Sequence, residues 1–109
     1  MDELIEILLD PSSGDAEKDD AAMELGKYTE KRVEEVLFVV SNDFGYNEMI
    51  RASCGESLAE IWVQRARVDF SKMDRLTEVA LVEALSLIRR KRPDWYEEFK
   101  HRNPGKVSG

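Results

Sequence analysis

A pattern of small and apolar residues in this chain returns after 33 residues. The stretch AAMELGKY begins at Ala21 and CGESLAEI begins at Cys54, with small and apolar residues at the same relative places. Two amphipathic helices can share such spacing by chance, but agreement across two helices and a turn favours a repeated helix pair. Because one pair cannot bury its apolar face alone, neighbouring pairs are expected to stack around a shared core. The small residues Ala21, Ala22, Gly55 and Ala59 are expected to let the helices approach closely, and Gly26 is expected to be a packing residue as well. Without a gap, the matched positions are Leu4/Leu37, Ile5/Phe38, Ile7/Val40, Asp10/Asp43, Lys18/Arg51, Ala22/Gly55, Leu25/Leu58, Gly26/Ala59 and Tyr28/Ile61.

Hydrophobic spacing predicts helices along nearly the whole chain. They are expected over about residues 2–9, 15–27, 30–40, 47–64, 72–90 and 93–101. Thr29, Asp69 and Ser71 are candidate N-caps, and Pro93 suits the first turn of the last helix. The run VLFVV by itself also fits a buried strand, but its charged flanks and the lack of a second strand-like segment favour a helix.

The composition allows one globular domain and argues against several functional classes. The 109 residues are enough for one modest core. The longest apolar run, residues 36–40, is far too short to span a bilayer, and the acidic start MDEL does not suit a secretory signal, so a cytoplasmic location is expected. With Cys54 as the only cysteine and His101 as the only histidine, the sequence predicts no disulfide, metal site, cofactor or histidine-based triad.

Acidic charge is concentrated in the first part of the chain. Residues 1–60 contain 16 acidic and 5 basic residues, whereas residues 61–109 contain 7 acidic and 11 basic residues. An acidic surface repels nucleic acids and anionic membranes, so neither is an expected partner. The same surface would attract a basic protein, although a solvated acidic face that keeps the protein soluble explains the charge equally simply.

The stretch RASCGESLAEI, which follows an apolar helix and a turn, resembles HEAT repeats. It is closest to the short HEAT-like type named after phycobilisome lyases, and the resemblance covers about residues 3–62. The second unit carries the better match, with Arg51, Ala52, Leu58, Ala59 and Ile61. The first unit matches at Ala21, Ala22, Leu25 and Gly26, with Lys18 in place of the arginine.

The resemblance implies an all-α fold, a short right-handed α-solenoid of antiparallel helix pairs with about five to six helices. A single domain is then expected over residues 1–103, with units at about 2–28, 30–64 and 72–101 and a flexible tail at 104–109. HEAT proteins often link successive units through an aspartate near the turn and an arginine in the second helix. Asp43 with Arg51, and Asp10 with Lys18, are the candidates for such a polar ladder.

Catalysis is not expected from this sequence. Adjacent carboxylates such as Glu34 and Glu35 project about 100° apart on a helix and do not converge by themselves. One exposed helix edge with several carboxylates does not supply the fixed ligand set that a divalent cation needs. The sequence contains no phosphate loop, nucleophile elbow or metal-binding helix motif.

Binding to another protein is therefore the favoured function, since the resemblance implies a scaffold that offers its second helices and loops to a partner. A short acidic chain also resembles bacterial immunity proteins, which neutralise a cognate toxin, often a nuclease with a basic cleft. The alternative is an adaptor or regulatory subunit of a larger assembly. Its docking patch would be the aromatic cluster Trp95, Tyr96 and Phe99, for which a hydrophobic cap on the core is the simpler interpretation.

The candidate partner-binding residues follow from the expected geometry of the second helices and the turn. Acidic contacts are expected from helix positions on the exposed side, and acidic and aromatic anchors from the turn between the third and fourth helices. The residues are Glu24, Asp43, Phe44, Tyr46, Glu48, Glu56 and Glu60.

Overall fold

Seven α-helices make up most of the chain in the computed structural model, which describes residues 1–107. No strand occurs within that range, so the predicted all-α class is confirmed and the run VLFVV is helical. The helices are α1 (Asp2–Leu9), α2 (Asp15–Leu25), α3 (Lys31–Ser41), α4 (Glu48–Arg65), α5 (Phe70–Arg75), α6 (Glu78–Lys91) and α7 (Pro93–Arg102).

The helix predicted over about residues 72–90 is wrong, because it is divided into α5 and α6, and this raises the number of helices above five to six. Leu76 and Thr77 are extended at the break. The side chain of Asn42, at the end of α3, binds the interrupted backbone on both sides. Its Nδ2 donates to the carbonyl oxygen of Arg75 at 3.1 Å, and its Oδ1 accepts from the amide of Thr77 at 3.2 Å. A residue distant in sequence thus provides the hydrogen bonds that a continuous helix would have made.

Two of the four predicted helix-start residues are confirmed and two are wrong. Ser71 does not cap a helix, because it is the second residue of α5. Asp69 caps α5 by accepting a hydrogen bond from the amide of Lys72 at 3.1 Å, and Pro93 is the first residue of α7. Thr29 does not cap α3. Glu30 precedes that helix instead, without a side-chain cap, because α3 begins only at Lys31.

Helix α4 lies at the centre of the core and packs against α2, α3 and α6, while α1 packs on α2 and α7 packs on α6. The chain measures 41 × 25 × 20 Å over its principal axes. Trp95 and Phe99 of α7 are buried, which agrees with the hydrophobic-cap interpretation of the aromatic cluster. Val107 packs against the same core, whereas Ser108 and Gly109 of the predicted flexible tail lie outside the described residues.

No helix among residues 1–107 combines the length and the apolar character needed to cross a bilayer.

Two glycines permit the close helix approaches that the repeat predicts. A Cβ atom on Gly26 would lie 2.9 Å from Oγ of Ser57, so α2 meets α4 at this point. A Cβ atom on Gly55 would lie 2.2 Å from the carbonyl oxygen of Ala80, so α4 meets α6 with almost no space between the backbones. Gly26 has an ordinary helical conformation, so it is the contact that requires a small residue there.

Cys54 is completely buried on α4, and burial raises the pKa of its thiol far above the usual range, with a smaller contribution from the charge of Asp19. Because the thiolate is the reactive form, we expect the native protein to react with a disulfide reagent on the order of a thousandfold more slowly than the unfolded chain. The measurement is release of the coloured thiol from the reagent, without and with concentrated urea. Rapid reaction of one thiol without urea would contradict the buried position.

Candidate functional site

Helices α2 and α4 lie side by side and run in the same direction, which sets the geometry of the surface between them. Three hydrogen bonds join the helices at points that advance along both of them, and each joins residues 34 to 38 positions apart in sequence. This offset is close to that of the sequence repeat. The pairs are Ser53 Oγ to Asp19 Oδ1 (2.5 Å), Ser57 Oγ to the Ala22 carbonyl (2.7 Å) and Gln64 Nε2 to the Gly26 carbonyl (2.7 Å).

A groove of about 260 Å³ opens between these two helices. Met23 forms one apolar wall and is 55% exposed. Glu56 and Glu60 stand one turn apart on the α4 side, and within residues 1–107 neither has a cation within 4.0 Å. We call this surface the acidic groove; its lining is Met23, Gly26, Lys27, Glu56, Ser57, Glu60 and Gln64.

A second concavity, of about 490 Å³, lies where the α1–α2 turn meets the α3–α4 turn. Tyr46 is half-buried there, and its hydroxyl donates to the carbonyl oxygen of Leu8 at 3.0 Å. Burial, followed by the charge of Asp43, raises the pKa of Tyr46. Phe44 is 59% exposed and lies over the Arg51 guanidinium, 4.6 Å from its carbon to the ring centre.

The predicted partner-binding residues therefore separate into two groups. Glu56 and Glu60 line the acidic groove, and Glu24 lies beside it, where its carboxylate pairs with Lys27 at 3.1 Å. Asp43, Phe44 and Tyr46 line the concavity between the turns. Glu48, the first residue of α4, is exposed and lines neither surface.

The expected polar ladder is wrong, because within residues 1–107 neither Asp10 and Lys18 nor Asp43 and Arg51 form an ion pair within 4.0 Å. Both aspartates instead close their own turns. Asp10 accepts from the amide of Ser12 at 2.9 Å, and Asp43 accepts from the amide of Gly45 at 2.8 Å. These two positions are equivalent under the 33-residue repeat, and each aspartate accepts from the amide two residues ahead of it. The hydrogen bonds from Ser12 also lower the pKa of Asp10.

The two cations of the expected ladder reach toward the next helix pair instead. Lys18 Nζ lies 5.2 Å from the centre of the Tyr46 ring. Arg51, at the equivalent position, donates through Nε to the carbonyl oxygen of Tyr46 at 3.2 Å, and its Nη1 lies 3.9 Å from a carboxylate oxygen of Glu78. Both cations thus have a packing role.

A cationic concavity of about 440 Å³, which the sequence reasoning missed, lies between the start of α3 and the α4–α5 connection. Ala66 has a left-handed backbone conformation, and the amide of Arg67 returns to the carbonyl oxygen of Trp62 at 3.0 Å, which closes the end of α4. This turn directs the next residues back toward α3. We call the concavity the cationic pocket; it is lined by Lys31, Glu34, Arg65, Arg67, Val68, Asp69, Phe70 and Lys72.

Glu34 is the buried carboxylate of the cationic pocket and is only 2% exposed. Its Oε2 accepts from the indole of Trp62 at 2.7 Å, and its Oε1 accepts from Nη2 of Arg65 at 2.8 Å. Burial alone would raise the pKa of Glu34, but the hydrogen bonds from Trp62 and Arg65 outweigh it and hold the pKa below its usual value.

The stretch RARVDFSK carried the signal for this pocket, since it places three cations within eight residues after a strongly acidic half. The sequence predicts a role for only two residues of this stretch, Asp69 and Ser71, as candidate N-caps. The three cations meet Lys31 only because the chain turns at Ala66, which has a left-handed backbone conformation. Glycine or asparagine is the usual residue in such a conformation, so the alanine in the sequence does not indicate a turn.

Within residues 1–107, no group of three or more histidine, cysteine, aspartate or glutamate side chains is placed to hold a metal ion. Comparison of the chain with protein-family models, with curated proteins and with solved structures gives no significant match.

Proposed function

We propose that this chain is a non-enzymatic protein-binding module that offers the acidic groove to a basic protein partner. Its specific role would be that of an immunity protein, which neutralises a cognate bacterial toxin such as a basic nuclease. The observation that carries the proposal is the pair Glu56 and Glu60, which have no cation within 4.0 Å among the described residues and stand beside the exposed Met23. An apolar wall next to uncompensated carboxylates suits a cationic side chain with an aliphatic stem.

We infer that the scaffold behind this surface is a short HEAT-like stack. The side-by-side arrangement of α2 and α4, at an offset close to 33 residues, is what stacked helix pairs would produce. Equivalent turn bonds at Asp10 and Asp43 support the same interpretation. The stack would have α1/α2 and α3/α4 as its first two units, with α5 to α7 forming a divergent third.

The charge distribution favours a basic partner over a neutral one. The net charge is −7, and the two better-matched units belong to the acidic part of the sequence. Complementary charge would accelerate the encounter with a basic toxin and help to exclude other proteins. Association at high salt should then be slower.

Reversing charge in the acidic groove is the direct test. We expect Glu56→Lys/Glu60→Lys to weaken binding of the basic partner at least about tenfold, because two attractive contacts become repulsive. The partner is obtained by affinity capture with the wild-type chain and identified by mass spectrometry. Its affinity for each variant is then measured by calorimetry at low and high salt.

The matched control is Glu97→Lys/Glu98→Lys, which makes the same change of charge at two exposed positions of α7. This control should bind at least several-fold more tightly than the groove variant. Equal weakening by the two double variants would indicate a non-specific effect of net charge, and it would contradict the acidic groove as the binding site. Circular dichroism shows whether each variant keeps its helices.

The alternative, an adaptor within a larger assembly, has a different surface in its favour. Leu9 and Val39 are 48% and 62% exposed, and with Val36 they line a shallow apolar depression between α1 and α3. An adaptor docked there would lose its partner in Val39→Lys and keep it in the groove variant. The buried positions of Trp95 and Phe99 remove most of the apolar area that the aromatic cluster would have offered to a partner.

A further inference from the structure

The cationic pocket has more positive than negative charge, in a chain whose net charge is −7. Its lining contains the cations Lys31, Arg65, Arg67 and Lys72 but only two carboxylates. The cations come from two segments of the chain that are distant in sequence, so their convergence is a product of the fold. Like charges held together in one concavity repel each other unless an anion is present.

The carboxylates of the pocket are already occupied by two of the cations. Arg65 uses Nη2 to bind Glu34 at 2.8 Å, and Lys72 binds Asp69 at 3.2 Å. Lys31 has no carboxylate within 4.0 Å among residues 1–107.

Arg67 has no such carboxylate either, within the same part of the chain. The Nε atom of Arg65 is in addition buried without a hydrogen-bond partner in the described residues. Two uncompensated cations and an incompletely bonded guanidinium therefore border one concavity of about 440 Å³.

We propose that the cationic pocket binds a doubly charged oxyanion of the phosphate class. Arginine is suited to such a group, because its planar guanidinium presents several donors at once. Lys31 and Arg67 provide the two positive charges that the anion would neutralise. Glu34 does not compete for these two residues, because both of its oxygens are bound to Trp62 and Arg65. The site is separate from the acidic groove, since no residue lines both.

The two tryptophans make the test specific. The indole of Trp62 is bonded to Glu34 of the cationic pocket, whereas the ring of Trp95 lies under Arg92, a cation outside the pocket. Inorganic phosphate is titrated into the ¹⁵N-labelled protein at about pH 8, where a phosphate group is doubly charged, with ionic strength held constant by chloride. We expect the indole resonance of Trp62 to shift along a saturating curve, and that of Trp95 to change little.

The variants Lys31→Gln and Arg67→Gln should each weaken the binding of phosphate about tenfold, because each removes one charged donor. The matched controls are Arg90→Gln and Lys91→Gln, which remove exposed cations at the end of α6 and should leave the titration curve unchanged. A linear response without saturation, or the same curve in the pocket and control variants, would overturn the proposal. Binding of a basic partner to the acidic groove is measured separately, so either proposal can fail alone.

Discussion

Gly55→Ala is expected to destabilise the protein by about 3 kcal/mol, the upper part of the usual range for overpacking a core. The added Cβ atom would lie 2.2 Å from the carbonyl oxygen and 2.7 Å from the Cα atom of Ala80. Both of those atoms belong to the backbone of α6, so no rotation of a side chain can relieve the contact. The two helices would have to separate along the most extensive helix–helix interface of the fold. The loss is measured by urea denaturation, and the melting temperature should fall by roughly 15 °C.

Gly105→Ala provides the matched control, because a Cβ atom at Gly105 would meet nothing within 4 Å. Its effect on the free energy of unfolding should stay within about 0.5 kcal/mol. Gly26→Ala should fall between the two, since its Cβ atom would press mainly on the side chain of Ser57, at 2.9 Å. If Gly55→Ala unfolds at the same urea concentration as Gly105→Ala, the close contact between α4 and α6 is not present in solution.

The repeat in the sequence identified Gly55 as a packing residue but could not identify the residue it packs against. The match of Ala22 with Gly55 indicated a helix face where small residues are needed. The contact between Gly55 and Ala80 depends on where α6 lies. Because the sequence predicted one continuous helix over residues 72–90, it did not predict that α6 begins at Glu78. That break is made by Asn42 through hydrogen bonds across 33 and 35 residues, an interaction that local helix propensity does not contain.

The candidate sites show the same division between local and long-range information. Glu56 and Glu60 were expected on the exposed side of the second helix of a repeat unit, and both line the acidic groove. Tyr46 was predicted as a partner anchor, but its hydroxyl is bonded to Leu8 of another helix, a contact that sequence spacing cannot reveal. The cationic pocket depends on a left-handed turn at Ala66, and the local backbone preference of alanine does not predict such a turn.

Glu34→Ala should cost about 3 kcal/mol of stability at neutral pH, because it leaves buried partners without their acceptor. The indole of Trp62 is fully buried and has Glu34 as its hydrogen-bond acceptor. Arg65 is partly exposed, with 30% of its side chain accessible, so water can replace part of the hydrogen bonding that it loses with Glu34. The expected loss of stability is therefore near the lower limit for breaking a buried ion pair. The free energy of unfolding in urea, at neutral pH, gives the comparison with the wild type.

The dependence on pH separates the charge of Glu34 from its role as an acceptor. The folded state holds the pKa of Glu34 below its ordinary value of 4.5, so the ionised form is favoured by folding. The stabilisation by ionised Glu34 is fully present above pH 4.5 and is lost as the pH falls through the lower folded-state pKa. Glu34→Gln keeps an acceptor for Trp62 but has no charge, so its difference in stability from the wild type should shrink under those acidic conditions. Glu97→Gln, at an exposed position of α7, serves as the control and should differ from the wild type by less than about 0.5 kcal/mol throughout. A Glu34→Gln difference that stays constant across the acidic range would mean that the charge of Glu34 contributes nothing to folding.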